Sequence, residues 1–376
     1  MTGCVIVGAA ETDRIGVVPD RSVLALNVEA GWRALEDAGL SIADIDGIAG
    51  AYSPHGVADA MGISPTWVDS TNVGGCSFMI HVRHAVAAIR AGYATRVLIT
   101  HGESGRSRVG VPPRPRDPAS MTGQFEEPYG ARAPYTKFTL PALRYMHQHG
   151  LDETDLAEVT VAQRRWSHRN PRAGRKGLLT TEEVLAAPLV AYPFRAPEVC
   201  MLTDGGGALV VTARDDAPPS TRGRAVDILG TGEGTDSLLI SEQRDPGVSR
   251  AIRAAADSAF AEARLRREEI QHVMSYDAFA HLPWIGLESM RLVAPGGAAE
   301  LIRSGATSPG GTLPLNTNGG GLAYTHTGMY GMFAIQESVR QVRGEAAAQV
   351  PGVRVSLALG LGGMQSAAGV LVLGRI

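Results

Sequence analysis

The sequence predicts a duplicated α/β protein, two halves in which strands and helices alternate in the same order along one chain. Three observations predict it. Ile6-Val7-Gly8-Ala9-Ala10-Glu11-Thr12-Asp13 near the start is matched by Ile228-Leu229-Gly230-Thr231-Gly232-Glu233-Gly234-Thr235-Asp236 near the middle. Both read as short apolar strands entering a glycine-containing turn and an acidic residue. Residues 24–38 carry helical apolar spacing and residues 250–264 an Ala-rich helix; each is followed by three apolar residues at equal offsets, Leu40, Ile45, Ile48 and Leu265, Ile270, Val273. Each half then ends on an apolar strand after a glycine run, at Ala208-Leu209-Val210-Val211 and at Gly369-Val370-Leu371-Val372-Leu373.

A period of about 220 residues is far too long for a solenoid and fits a duplicated domain. Segment 214–224 is polar and Pro-containing and reads as the linker, so the halves are expected at 1–220 and 221–376. Residues 101–187 have no counterpart of equal length in the second half. They hold a Pro/Arg-rich loop at 111–118 and a polar, helix-prone stretch around 137–168. A long excursion in one half reads as a cap over a site or an oligomer contact; the plain alternative is a surface insertion.

Composition narrows the class. A chain of 376 residues with 44% hydrophobic side chains suits two coupled domains with a large core. Net charge is −3 with no basic tract, which excludes nucleic acid as a natural partner. Cys4, Cys76 and Cys200 have no CxxC spacing, which argues against both a zinc site and a disulfide framework. With no long apolar run and no signal-peptide pattern, a soluble, cytoplasmic protein is expected. His81 and His84 read as core or interface residues, His147 and His149 as the end of a cap helix before Gly150, and His168 as surface. No metal is expected. No Walker A loop or dinucleotide fingerprint is present, so no tightly bound cofactor is expected either.

Four segments carry a family resemblance: Asn72-Val73-Gly74-Gly75-Cys76-Ser77, Ser275-Tyr276-Asp277-Ala278-Phe279, Asn316-Thr317-Asn318-Gly319-Gly320-Gly321 and Gly360-Leu361-Gly362-Gly363. Together with Phe125-Glu126-Glu127-Pro128-Tyr129-Gly130 and Thr203-Asp204-Gly205-Gly206, they resemble the thiolase superfamily over essentially the whole chain. The nearest branch is the sterol-carrier-protein-x and lipid-transfer-protein group. The resemblance implies a five-layered αβαβα fold, a homodimer, and an active site where loops of both halves meet at helix N-termini. It also implies CoA as part of the substrate, and a small zinc-ribbon/OB-fold partner protein.

Thiolases place a cysteine at the N-terminus of a buried helix, where the helix dipole and free N–H groups favour thiolate. Cys76 is the tempting match. Counting back from Ala88-Ile89-Arg90-Ala91-Gly92 and forward from Asn72 both put the nucleophile position at Gly75. One residue on a helix turns a side chain by about 100°, so Cys76 is expected to point away as a small buried apolar group. The amides of Gly75, Cys76, Ser77, Gly362 and Gly363 are then expected as oxyanion donors. The last Gly-rich loop has no cysteine either.

Tyr276 falls where the sterol-carrier branch has the histidine of its His-Asp-Cys-Phe motif, and His326 where thiolases have the histidine of Gly-His-Pro. Tyr276 with Tyr324 resembles the lipid-transfer-protein aldolases of steroid side-chain breakdown, in which two tyrosines do acid/base work. Tyr276, Tyr324 and His326 are therefore the expected catalytic residues, with a charged His326 as the neighbour that lowers a tyrosine pKa. Asn316, Asn318, Gly319 and Gly320 are expected to shape their loop. The reading is a CoA-dependent aldolase that makes or breaks a C–C bond in a bulky, steroid-like β-hydroxyacyl-CoA. The alternatives are an acyltransferase using Cys76 and a non-catalytic subunit of a complex.

Overall fold

The computed structural model describes residues 3–111 and 116–375. The middle of the Pro/Arg-rich loop expected at 111–118 lies outside the described residues. The first half runs β1 (Cys4–Glu11), α1 (Val23–Ala38), β2 (Gly47–Gly50), α2 (Pro54–Met61), β3 (Trp67–Asp69), α3 (Ser77–Arg90) and β4 (Arg96–Ser104). An excursion follows: α4 (Met121–Phe125), α5 (Pro134–His149), α6 (Glu153–Ser167), α7 (Thr181–Ala186) and the hairpin β5 (Leu189–Ala191) and β6 (Phe194–Arg195). The half closes on β7 (Asp204–Ala213). The second half is β8 (Val226–Thr235), α8 (Arg250–Ala263), β9 (His272–Ser275), α9 (Leu282–Ser289), α10 (Ala298–Arg303), α11 (Gly320–Ala323), α12 (Gly331–Arg343), β10 (Val355–Gly362) and β11 (Ala367–Gly374).

The duplication appears directly in the strand order, β3-β2-β4-β7-β1-β8-β11-β10-β9. Outward from the middle, β1-β7-β4-β2 on one side mirrors β8-β11-β10-β9 on the other; β3 has no counterpart. The halves join through a short antiparallel contact, Val5 with Asp227 and Ile6 with Val226. β2 and β4 are parallel, as are β9 and β10, while β7 and β11 run antiparallel to their neighbours.

Helix α1 covers β1, β4 and β7, and α8 covers β8 and β11. Helices α3 and α12 touch each other and strands of both halves, which gives five layers, αβαβα. Each outer helix starts on a serine: the Ser22 hydroxyl accepts from the Ala25 N–H, and the Ser249 hydroxyl from the Ile252 N–H. The glycines of β8 recur at strand period and meet the alanines of α8 at helical period. A Cβ at Gly230, Gly232 or Gly234 would lie about 2 Å from the carbonyl oxygen of Ala259, Ala255 or Ala251, so this face admits no side chain.

In the excursion, α5 stops at Gly150, which is left-handed (φ 65°), and α6 starts on Asp152, whose carboxylate accepts from the Thr154 and Asp155 N–H groups. The end of α6 then buttresses the Asn-Thr-Asn loop. The Trp166 indole donates to the Thr307 carbonyl at 2.8 Å, the Asn170 amide donates to the Asn318 carbonyl at 3.1 Å, and Ser167 packs on Gly319.

Candidate active site

The site lies where strand ends and helix starts of the two halves meet, as α/β folds favour. From the first half come the loop 72–76 before α3 and the end of β4. From the second come the residue after β9, the loop 316–328 and the start of α12.

Gly75 has no room for a side chain. A Cβ there would sit 2.3 Å from Cε2 of Tyr276, 2.6 Å from its hydroxyl oxygen and 2.7 Å from the Leu361 carbonyl oxygen. The phenol thus fills the volume that a nucleophile side chain on residue 75 would occupy. Cys76 turns elsewhere. It is fully buried with Ile80, Ala367 and Val73, its Sγ is 3.8 Å from the Val73 carbonyl oxygen, and burial pushes its thiol up to about 12.

Tyr276 is buried, and its hydroxyl lies 3.0 Å from His326 Nε2. The Gly328 N–H donates to His326 Nδ1 at 3.3 Å. That bond fixes the tautomer: Nδ1 carries the lone pair and Nε2 the hydrogen, which is directed at the Tyr276 oxygen. Burial lowers His326 to about 4 and raises Tyr276 well above its ordinary value; the Tyr330 backbone N–H acts in the opposite sense on Tyr276. The expectation of a charged His326 that lowers the tyrosine pKa is therefore corrected. Desolvation by burial dominates, so the imidazole stays neutral and Tyr276 keeps its proton. A neutral His326 donating to the phenol oxygen leaves the Tyr276 O–H available as a donor.

Tyr324 is the second correction. Although it stands two residues from His326, its hydroxyl donates to Glu11 at 2.5 Å, and burial with that carboxylate raises it. Glu11 also pairs with Arg340 at 3.0 Å, Arg340 with Glu337 at 3.1 Å, and Arg172 lies 3.7 Å from Glu11. The phenol belongs to this buried ion network between the halves. Tyr324→Phe is expected to cost about 1.5–3 kcal/mol in urea unfolding while turnover stays within about threefold. A loss of turnover as large as that of a Tyr276 variant would restore Tyr324 to the reacting centre.

The oxyanion donors divide. The Ser77 N–H already donates to the Gly74 carbonyl at 3.0 Å, so this expectation is corrected; the turn into α3 consumes it. Gly362 ends β10 opposite Ala367, and Gly363 (φ 51°) opens the turn beyond. Gly74 (φ 87°) packs on Gly362 and Gly363, so the two glycine loops lie back to back. Among the described residues the Gly75 and Gly363 amides have no acceptor in the protein.

Loop 316–321 is shaped by its asparagines. Asn316 is left-handed (φ 54°), and its side-chain oxygen accepts from the Ser275 N–H at 2.8 Å. Asn318 Oδ1 accepts from the Gly320 N–H and the Tyr330 hydroxyl, both at 2.8 Å. Gly319 (φ 107°) and Gly320 (φ 68°) follow, and a Cβ on Gly320 would meet the Asp277 carboxylate at 2.1 Å. Asp277, to which sequence reading gave no role, accepts from the Gly321 N–H at 2.6 Å and the Leu322 N–H at 3.3 Å; burial nonetheless pushes it up to about 8. It ties the loop carrying His326 to the residue after Tyr276.

Beside this cluster lies a pocket of about 370 Å3, lined by residues that include Asn72, His101 and Glu103 and the chain neighbours of Gly75 and His326: Gly74, Thr327 and Gly328. His101 is buried, lowered to about 3, and bonded to the Thr327 hydroxyl at 2.9 Å. Sequence reading missed His101 and Glu103; the strand end before a long excursion was the available signal. Among the described residues no group of three or more His, Cys, Asp or Glu side chains could hold a metal, and no helix is long and apolar enough to cross a membrane.

The buried imidazoles set a pH dependence. Burial lowers His101, His272 and His281 to about 3 and His326 to about 4. Their unfolded value is about 6.5, so below it the unfolded chain binds more protons. Their contribution is complete above about pH 6.5 and is lost as pH falls toward the folded values. Asp277, at about 8, and Glu198, at about 7, act in the opposite direction above about pH 4 but are outnumbered. The melting temperature is expected to fall from about pH 6.5 to pH 5, where the four histidines outnumber the two carboxyls; a flat or rising profile over that range would contradict neutral buried histidines.

Comparison with known proteins gives the class. Residues 232–375 match the family "Thiolase C-terminal domain-like". The chain is 33% identical to the 17-hydroxy-3-oxo-4-pregnene-20-carboxyl-CoA lyase of Mycobacterium tuberculosis, covering 93% of both chains. It is 30% identical to a steroid side-chain-cleaving aldolase of Thermomonospora curvata, covering 92% of this chain and 93% of the relative. The solved structure of an "Ltp2-ChsH2(DUF35) aldolase" superposes with a TM-score of 0.90 at 26% identity, over 99% of this chain and 98% of that one. The chain belongs to the thiolase superfamily. Within it, the chain falls in the lipid-transfer-protein branch of CoA-thioester-dependent carbon–carbon lyases.

Proposed function

We propose that the chain cleaves a bulky β-hydroxyacyl-CoA by a retro-aldol reaction, giving a ketone or aldehyde and a shortened acyl-CoA, with no covalent enzyme intermediate. The observation that carries this reading is the Tyr276 phenol, which occupies the side-chain space of residue 75 and is bonded to a neutral His326. A base takes the β-hydroxyl proton, the Cα–Cβ bond breaks, and its electrons form a thioester enolate. The Gly75 and Gly363 amides supply donors for the enolate oxygen. Tyr276 supplies the proton to Cα; even with a raised pKa the phenol is far more acidic than the thioester α-carbon. The names of the relatives support a steroid-bearing acyl group.

The acyl-transfer alternative requires a Cys76 thiolate, and a thiol buried among Val73, Ile80 and Ala367 and pushed up to about 12 does not provide one at neutral pH. The test is incubation with a steroid β-hydroxyacyl-CoA, with products and intact protein followed by mass spectrometry. The expected result is a carbonyl product with a shortened acyl-CoA and an unmodified protein. Stoichiometric acylation of Cys76 overturns the reading in favour of transfer; no chemistry with any such thioester favours a silent subunit.

Two partners belong to this proposal. One is a second copy of the chain, as the resemblance implies, with sedimentation as the check. The other is a small zinc-ribbon/OB-fold protein, supported by the structural neighbour whose name joins Ltp2 to ChsH2(DUF35). Its check is whether co-expression raises activity over the chain alone.

A further inference from the structure

The retro-aldol step requires a base for the β-hydroxyl, and the Tyr276–His326 pair does not provide one. Tyr276 holds its proton, and both ring nitrogens of His326 are engaged, one with the phenol and one with the Gly328 N–H. The pocket beside the pair, which reaches it through Thr327 and Gly328, is lined among the described residues by a single carboxylate, Glu103, with Arg108 as the cation.

We infer that Glu103 is the general base of this site, accepting the β-hydroxyl proton as the carbon–carbon bond breaks. The assignment rests on the retro-aldol reading above. Three placements carry it. Glu103 is the penultimate residue of β4, opposite Gly205 of β7, so a rigid strand delivers it to the pocket. Its carboxylate rests on Gly328, where an added Cβ would lie 2.4 Å from Oε2; Gly328 is the residue whose amide orients His326. His101 lies two residues earlier on the same strand and is bonded to the Thr327 hydroxyl at 2.9 Å, which clamps the strand to the loop that carries His326. The Glu103 charge is also among the causes that raise Tyr276, which places both groups in one electrostatic neighbourhood.

The step balances within the substrate. The Glu103 carboxylate takes the hydroxyl proton, and the O–H electron pair becomes the new C=O. The Cα–Cβ pair becomes the enolate, and Cα takes the Tyr276 proton. Glu103 then returns its proton to solvent, and water reprotonates the phenol. Base and acid stand on different elements, β4 and the residue after β9, so each can address one end of the bond that breaks.

The test uses the full chain, with any partner it requires, and a β-hydroxyacyl-CoA that the wild type cleaves. Glu103→Gln is expected to lower kcat by about 10²–10³-fold, while binding of the matching acyl-CoA without the β-hydroxyl changes less than about threefold and the melting temperature holds. Glu103→Ala is expected to regain part of the lost rate with added formate, a response that a merely structural carboxylate would not give. Turnover of Glu103→Gln within about threefold of wild type overturns the assignment and leaves the lyase reading intact. So does equal loss of analogue binding and kcat, or no formate response in a folded Glu103→Ala. A wild type that cleaves no such thioester overturns both.

Discussion

Tyr276→Phe is expected to remove about 10²–10⁴-fold of the lyase rate, the range for loss of a positioned proton donor, with little change in substrate binding. The ring stays, so the contacts with Gly75 and Tyr330 stay. The O–H goes, and with it the bond to His326 and the partner of the Tyr330 backbone N–H. The His326 Nε2–H then faces an apolar edge, and an unpaired buried donor costs about 1–3 kcal/mol; a modest drop in melting temperature should accompany the catalytic loss. Steady-state kinetics with calorimetry separates the two effects. If the variant turns over within about threefold of wild type, the phenol is packing and the proton comes from elsewhere.

Gly75→Cys is expected to destroy the site and leave the chain without thiolase activity. A Cβ 2.3 Å from the Tyr276 ring and 2.7 Å from the Leu361 carbonyl oxygen cannot be accepted without movement. Overpacking of this kind costs about 1–3 kcal/mol, more where backbone must shift. Lyase turnover should fall with the displaced phenol, and intact mass after incubation with an acyl-CoA should show no acyl-enzyme. The clash is pairwise, so it can be isolated: adding Tyr276→Ala to Gly75→Cys should recover part of the lost stability, a favourable coupling in a double-mutant cycle. Strictly additive losses would mean that the Leu361 carbonyl, and not the phenol, excludes a side chain at residue 75.

Particular residues show how much of this was legible in the chain. The register that put Gly75 at the nucleophile position rested on anchors at the two ends of one helix, a local count, and the structure supplies a steric reason for a glycine there. That reason was not legible, because the atom in the way belongs to Tyr276 in the other half. Tyr324 misled for the converse reason. Sequence adjacency to His326 suggested a shared site, but α11 ends at Ala323 and the chain turns, so Tyr324 reaches Glu11 while His326 reaches Tyr276. Glu11 itself was visible as the acidic residue closing the first strand; its partners Tyr324 and Arg340 were not. Glu103 carried no motif at all, only its position at the end of a strand.

By itself the sequence determined the duplication, the strand and helix periods and the absence of a thiol at residue 75. These follow from spacing and residue type within short stretches, where the physics is local. The tertiary structure alone decided which side chains share a cavity, which tautomer His326 holds and which phenol stands against Gly75. Those depend on burial and on hydrogen bonds between loops far apart in the chain, and a linear pattern does not encode which loop will face which.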